Sequence, residues 1–208
     1  MRSRLEILVD LLHSQDTAAL ATHSSTLPGH PFATTVAFAP DEHHRPLFLI
    51  SQLAEHTRNL AADPRAGFLV SKTLADGEIA RASLVGTIVR VEPDALLVAR
   101  YLRYQPAAER FLQLGDFAFH RFEPTRVLVV GGFAQAGWLD GSSLLAAPSL
   151  AGAEEAALLA SRSPAPGVEL LGFDPFGIDL RKDGLRRRID FADGPLGPQA
   201  LAATELPA

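Results

Sequence analysis

The sequence predicts a mainly β fold of the α+β class, an antiparallel barrel closed or nearly closed, followed by a small α/β unit. Three observations predict it. Six or seven short segments rich in β-formers fill the first two-thirds of the 208 residues, with few long helices between them. The segment Ala82–Val91 carries apolar groups on both faces of its alternation, as a barrel wall covered on each side does. Asp183-Gly184 stands between two β-rich runs near the C-terminus, where glycine supplies the positive φ of a type I′ hairpin turn.

Taken in order, the chain opens on Leu5, Leu8, Val9 and Leu12 at helical spacing. Glu6 and Asp10 interrupt that apolar stretch, so it reads as an amphipathic helix rather than a signal peptide. A strand at Ala18–Thr22, a turn at Ser24–Gly29, and strands at Phe32–Phe38 and Pro46–Ser51 form a meander. The segment Leu53–Ala62 has helical spacing and stops at Asp63-Pro64, because proline cannot extend a helix. Strands at Phe68–Val70 and Ala82–Val91 follow, then helices at Asp94–Tyr104 and Ala107–Leu114 separated by Pro106. Two further strands are expected at Phe117–Phe122 and Val127–Phe133, with Gly131-Gly132 marking a bulge or a close backbone approach.

Around Ser142–Ser149 small residues and Pro148 indicate a linker. Beyond it lie a helix at Glu154–Ser161, strands at Val168–Gly172, Gly177–Arg181 and Leu185–Phe191, and a weak helix at Pro198–Ala203. The chain thus divides into 1–145 and 150–208. A unit of about 55 residues is close to the lower limit for independent stability, so it is expected to pack on the barrel.

Composition excludes several classes. Hydrophobic residues at 47% and charged residues at 21% are those of a folded protein, not a disordered one. With no cysteine, disulfide scaffolds, thiol nucleophiles and thiolate-held clusters are ruled out. A net charge of -5 argues against nucleic acid as a partner. No run reaches the roughly 18 apolar residues of a membrane span, and the expected location is the cytoplasm. There is no G-x-S-x-G elbow, P-loop or G-x-G-x-x-G. His43-His44 reads as a solvated turn, and His13, His23 and His30 lack metal-binding spacing. Arg181, Lys182, Arg186, Arg187 and Arg188 read as a solvated hairpin face, with an anion site as the alternative.

The most informative stretch is Leu47 to Leu60. A buried strand ends at the Ser51 hydroxyl, and His56, Thr57 and Arg58 fall in the opening turns of the helix beyond it. Such a junction is an anion site built from free N–H groups, hydroxyls and a cation. The other reading is that Ser51 caps the helix and Arg58 is solvated.

The block LFLISQLAEHTRNLAADPR at residues 47–65, with PFATTVAF at 31–38 and GDFAFHRFEPTRVLVVGGF at 115–133, resembles the haem-utilisation branch of the pyridoxamine 5′-phosphate oxidase-like flavoproteins, the FMN-binding split barrels. The likeness runs from about residue 5 to residue 139, and GFDPFGIDL at 172–180 is similar to their appended α/β domain. It implies a split β-barrel, a homodimer with FMN in a groove at the dimer interface, a small-molecule ligand, and flavin-dependent oxidoreductase activity on an unknown substrate. Thr34 stands where the family pattern has a phosphate-contacting arginine, and His56 where the wider family has lysine. The implied FMN-contacting residues are Thr34, Thr35, Val36, Ser51, His56, Thr57, Arg58 and Asn59, with backbone near Thr35 and Val36 at the isoalloxazine edge. No side chain is marked as a general acid or base. Beside a phosphate, His56 would be driven toward imidazolium.

The same resemblance implies haem as the alternative ligand, in a haem-degrading protein or a carrier without turnover. Here the sequence departs from the family: no histidine or cysteine follows His120. A haem ligand would be His120, another barrel histidine or Tyr104, and Asp116 matches a position near the haem pocket. Trp138 reads as dimer core or as a ring near the flavin.

Overall fold

The protein is described from a computed structural model covering residues 2–132, 135–192 and 194–204. Helix α1 (Arg4–Ser14) begins at a reciprocal cap, in which the Ser3 hydroxyl accepts from Glu6 N–H and the Glu6 carboxylate accepts from Ser3 N–H. Strands β1 (Thr17–His23), β2 (Pro31–Ala37), β3 (Ala39–Pro40) and β4 (Pro46–Ser51) follow, then α2 (Glu55–Ala62), β5 (Arg65–Thr73) and β6 (Ile79–Arg90). Next come α3 (Ala95–Tyr104), a 3₁₀ turn at Pro106–Ala108, α4 (Glu109–Leu112), β7 (Phe117–Val130), β8 (Ala136–Asp140) and α5 (Gly141–Leu145). The chain continues through α6 (Gly152–Ala160), β9 (Val168–Asp174), β10 (Gly177–Lys182), β11 (Leu185–Asp190) and α7 (Pro198–Ala203).

The large sheet is antiparallel and runs β2-β1-β5-β6-β7-β4-β3, with β8 on β7. Its two edges, β2 and β3, are consecutive pieces of one stretch of chain. That stretch pairs with β1 through residues 31–37 and with β4 only at Ala39 and Pro40. The sheet therefore closes on itself at Ala39–Leu47 and opens where β2 parts from β4, which gives a split barrel. Inside it, Leu20, Phe38, Phe48, Phe68, Leu84 and Phe122 pack with Leu8, Leu11 and Leu12 of α1 and Leu60 of α2.

The expected strands at Phe117–Phe122 and Val127–Phe133 are a single strand, β7, and Phe133 lies outside the described residues. Pro124 does not break it because the register shifts there: Val85 pairs with Arg126 and Gly86 with Pro124, leaving Thr125 as the extra residue. A bulge is where a strand tolerates a residue without an N–H. Gly131 instead comes close to Ile7, and its N–H reaches Gln135 O, ending β7 in a turn. The stretch read as linker contains α5, and β8 before it escaped the pattern altogether.

The three-stranded sheet β11-β10-β9 turns at Asp183 (φ 54) and Gly184 (φ 74), the two positive φ values of a type I′ turn. One face carries Phe173 and Ile178 onto Leu150 and Leu201. The other carries Asp179 and Arg188 toward α1 and α3. His44 and Arg188, expected on solvated surfaces, have fully buried side chains: alternation turns every second residue of β11 inward, where Asp174 and Asp179 compensate Arg188.

Candidate functional site

The split leaves β4 and α2 at one end of the barrel, and residues from four elements gather there. Ser51 closes β4 and is paired across the ladder with Phe117 of β7. It does not cap α2, whose N-cap is Ala54 without a side-chain bond. Its hydroxyl accepts from Leu53 N–H at 3.1 Å and donates to Asp116 Oδ2 at 2.5 Å. Gln52 N–H donates to Asp116 O at 2.7 Å, so the end of β4 is fastened twice to the start of β7.

On α2, His56 Nε2 and Thr57 Oγ1 are buried without a hydrogen-bond partner. Each orphan costs about 1–3 kcal/mol, which a ligand accepting or donating there would recover. Burial, then the neighbouring His120, hold His56 below the usual histidine range. His120 lies on β7 in register with Phe48 of β4 and Arg90 of β6. It too is held below that range, by burial first and by Arg90, against the opposing pull of the Ala118 carbonyl. At neutral pH both rings are uncharged.

His120 Nδ1 faces Ala118 O at 3.1 Å, and because a carbonyl only accepts, Nδ1 carries the proton. The neutral ring then presents Nε2 as a lone pair. A backbone carbonyl that fixes the tautomer in this way is the usual support of a histidine metal ligand.

The remaining residues singled out in the sequence are placed as follows. Arg58 is 59% exposed and paired with Glu55 at 2.8 Å. Asn59 is fully buried, its oxygen accepting from Ser25 N–H and Oγ at 2.8 Å and its Nδ2 donating to Thr22 Oγ1 at 3.0 Å; the amide ties α2 to β1 and the following turn. Thr34 and Val36 share a face of β2, opposite Leu20 and Ala18 of β1, whereas Thr35 is on the other face and exposed. Val36 is in the core, which leaves its backbone as the part that can meet a ligand. The pattern thus brings Ser51, His56 and Thr57 to one end of the barrel and divides the β2 trio between two faces. Tyr104, one of the possible haem ligands, is buried against Asp179 at 2.5 Å instead.

The sequence did not reveal the Ser51–Asp116 bond or the partnership of His56 with His120. Nothing in their spacing marks either pair: the β4–β7 register brings Ser51 to the start of β7, and His56 comes near His120 because α2 follows directly on β4.

The outer face of the sheet is apolar and open at Leu69, Val85 and Trp138, the last beneath Arg126 at 4.8 Å. Among the described residues no helix is long and apolar enough to cross a membrane.

Comparison with known proteins places these features. The model of the family described as CREG, beta-barrel, matches residues 9–145. The chloroplastic haem oxygenase HOZ of Arabidopsis thaliana is 33% identical over 136 residues, 64% of this chain and 42% of that protein. The chain therefore spans less than half the length of that curated relative. A haem binding protein from Mycobacterium smegmatis is similar along its whole length, at 26% identity, with 98% of this chain and 97% of that one covered and a TM-score of 0.65. A protein of unknown function from Agrobacterium tumefaciens is 26% identical over the same shares, with a TM-score of 0.70.

Proposed function

Because the chain belongs to the CREG-like split-barrel family within the FMN-binding, pyridoxamine 5′-phosphate oxidase-like superfamily, we propose that it binds haem at the α2 end of its barrel, with His120 as the iron ligand. The observation that carries this is the His120 ring, neutral at physiological pH, with Nδ1 held by Ala118 O and Nε2 left as a lone pair. His56, neutral and with Nε2 unsatisfied, stands beside it as a second imidazole. Arg90, in register with His120 and 60% exposed, pairs with Glu92 at 3.5 Å across solvent, a contact that a haem carboxylate would have to displace. The haem-related names of HOZ and of the Mycobacterium smegmatis protein support the same ligand. Haem, when bound, would supply oxygen chemistry at its iron; the residues named here hold and orient it.

A second reading, FMN in an oxidoreductase, is favoured by one observation: Ser51, His56 and Thr57 form a cluster of hydroxyl and imidazole groups at a strand-to-helix junction, with Thr57 Oγ1 unsatisfied. The charge balance fits a phosphate dianion poorly. Thr34 brings no cation, Arg58 is engaged with Glu55, and Asp116 places a carboxylate on the Ser51 hydroxyl. Haem is the better supported ligand. On this reading the barrel unit, 1–145, holds the ligand, the unit at 150–208 braces it, and the open face around Leu69, Val85 and Trp138 receives a second copy of the chain.

Titration of the purified protein with haemin, followed by absorbance, tests the proposal. The expected result is a saturable Soret band that His120→Ala reduces and shifts, with no response to FMN of comparable affinity. An unchanged Soret response in His120→Ala removes His120 from the site. Saturable FMN binding without a haemin response transfers the conclusion to the flavin reading.

A further inference from the structure

Beyond Leu47 the barrel is split, and β4 has a strand neighbour on one side only. The open side presents backbone N–H and C=O groups that need partners of another kind. The next residue with the orientation of Leu47 is Leu49, and its N–H donates to the Tyr101 hydroxyl of α3 at 3.1 Å, both groups buried.

Tyr101 also touches the strand on the other side. Its ring stands edge-on to Phe119 of β7, with centroids 5.2 Å apart at 89°, and Phe119 is the partner of Leu49 across the ladder. Antiparallel strands exchange hydrogen bonds only at alternate pairs. Here Leu49 N–H goes to Tyr101 and Phe119 O accepts from Val91 N–H at 3.0 Å, so the backbone groups of this pair point away from each other. Tyr101 is what spans the Leu49–Phe119 pair, its hydroxyl on one strand and its ring on the other.

That pair sits where the ligand end is set. The bond from His120 Nδ1 to Ala118 O at 3.1 Å, which fixes the tautomer of the imidazole, bridges over Phe119. The flanking pairs are Phe48–His120 and Ile50–Ala118, and Ser51 with its bond to Asp116 follows directly. A displacement of Phe119 therefore alters the contact between the His120 ring and the Ala118 carbonyl. Tyr101 is itself held in place. Tyr104, one turn along α3, donates to Asp179 of the C-terminal sheet at 2.5 Å, and Arg100 Nε donates to Pro40 O at 2.8 Å where the barrel closes. Burial pushes the Tyr101 phenol up to about 12, so its hydroxyl keeps its proton and brings a dipole rather than a charge to the strand edge.

We infer that Tyr101 is a positioning residue for His120: by holding the Leu49–Phe119 pair it keeps Nδ1 on the Ala118 carbonyl and Nε2 as the free lone pair. The inference rests on the reading of His120 as the haem ligand, and Tyr101 acts through that ring rather than on the ligand.

The test is Tyr101→Phe in the full chain, which removes the hydroxyl and keeps the ring against Phe119. Haemin titration followed by absorbance is expected to give a shifted Soret band and an affinity about three- to tenfold lower, the range one hydrogen bond is worth. The same change made in His120→Ala is expected to lower the affinity no further, because the two residues act as one. Equal losses in the two backgrounds mean a general loosening and overturn the inference, as does a Tyr101→Phe protein whose Soret band and affinity match wild type. A second measurement needs no ligand: the imidazole nitrogen-15 shifts at about pH 8, where the ring is neutral, distinguish the two tautomers. Wild type is expected to hold His120 in the Nδ1–H form, and Tyr101→Phe to show a mixture of both. A wild-type chain without a haemin response fails the haem reading, and the tautomers then decide alone: an unchanged His120 spectrum in Tyr101→Phe overturns the inference.

Discussion

His13 Nδ1 lies 2.6 Å from Asp179 Oδ2, joining the first helix of the barrel to the middle strand of the C-terminal sheet across 166 residues. Both side chains are completely buried. His13 Nε2 is 2.9 Å from His44 Nδ1, and His44 Nε2 is 2.9 Å from Pro148 O. Carboxylates and carbonyls accept only, so the two outer nitrogens of this chain carry protons, and one more proton lies between the rings. Three protons on four nitrogens leave the histidine pair with one positive charge. Together with Arg188 it balances Asp174 and Asp179, a neutral buried cluster that also receives the Tyr104 hydroxyl at 2.5 Å. Asp179→Asn removes one charge and leaves the others uncompensated. The expected loss is about 3–5 kcal/mol, the usual cost of breaking a buried pair, measured by urea unfolding with tryptophan and far-ultraviolet signals compared.

Acid should loosen the same junction. Burial, then the neighbouring positive His13, hold His44 at about 4, below its ordinary 6.5. A group depressed in the folded state is protonated first in the unfolded one, so the associated stability is whole above pH 6.5 and is lost as pH falls toward 4. The full span corresponds to about 3 kcal/mol. Urea midpoints measured from pH 7.5 to 4.5 should fall, and His44→Gln should flatten that slope by about one proton. An equal slope in both proteins would exclude His44 as its source.

Gly86 sets the β6–β7 bulge. A Cβ there would overlap the Glu123 carbonyl and press on the Phe122 ring, both parts of the barrel wall and core. Backbone cannot yield as a flexible side chain does, so Gly86→Ala is expected to destabilise the chain by about 1–3 kcal/mol. Gly77→Ala, in an open turn at φ 86, supplies a comparison in which only the local conformation is strained. Thermal unfolding of the two variants separates packing from turn strain.

The barrel was legible because its strands announce themselves locally: Pro46–Ser51 has the predicted bounds, and the Asp183-Gly184 turn follows from glycine's conformational freedom alone. The single strand β7 was expected as two, because its continuity through Pro124 depends on the shifted register of β6, which the sequence does not show. His44 and Arg188 misled the reading for a related reason. Charge and turn composition signal solvent, and only the packing of α1 on the C-terminal sheet supplies the buried partners that make those groups neutral in sum. At the barrel end, Ser51, His56 and Thr57 stood close in sequence and could be singled out together. Asp116 and His120 came from the far side of the β4–β7 ladder, and their relation to the others depends on that register and on α2 following directly on β4.

Asp116 offers a way to weigh the flavin reading directly. Its carboxylate accepts from Ser51 Oγ, so a phosphate seated on Ser51 meets a negative charge beside it. Asp116→Asn removes that charge while keeping a hydrogen-bonding side chain of the same size. If FMN occupies the site, its affinity in fluorescence-quenching titrations should rise several-fold in this variant. If haem binds through His120 instead, FMN affinity should remain negligible in both proteins.

The pH dependence of binding distinguishes the two ligands by sign. An iron ligand must be the neutral imidazole, and His120 is held below the usual histidine range by burial. Haem affinity should therefore be flat near pH 7 and above, and fall on acidification below the ordinary histidine value of about 6.5, as protons compete for Nε2. A phosphate dianion beside His56 acts oppositely: it draws a proton onto a ring that burial keeps neutral in the free protein, so FMN binding takes up a proton and weakens as pH rises. Dissociation constants for haemin and FMN measured between pH 5.5 and 8.5, with His120→Ala and His56→Ala beside wild type, decide the matter. Haemin binding that strengthens toward low pH, or that keeps its pH profile in His120→Ala, would count against His120 as the ligand.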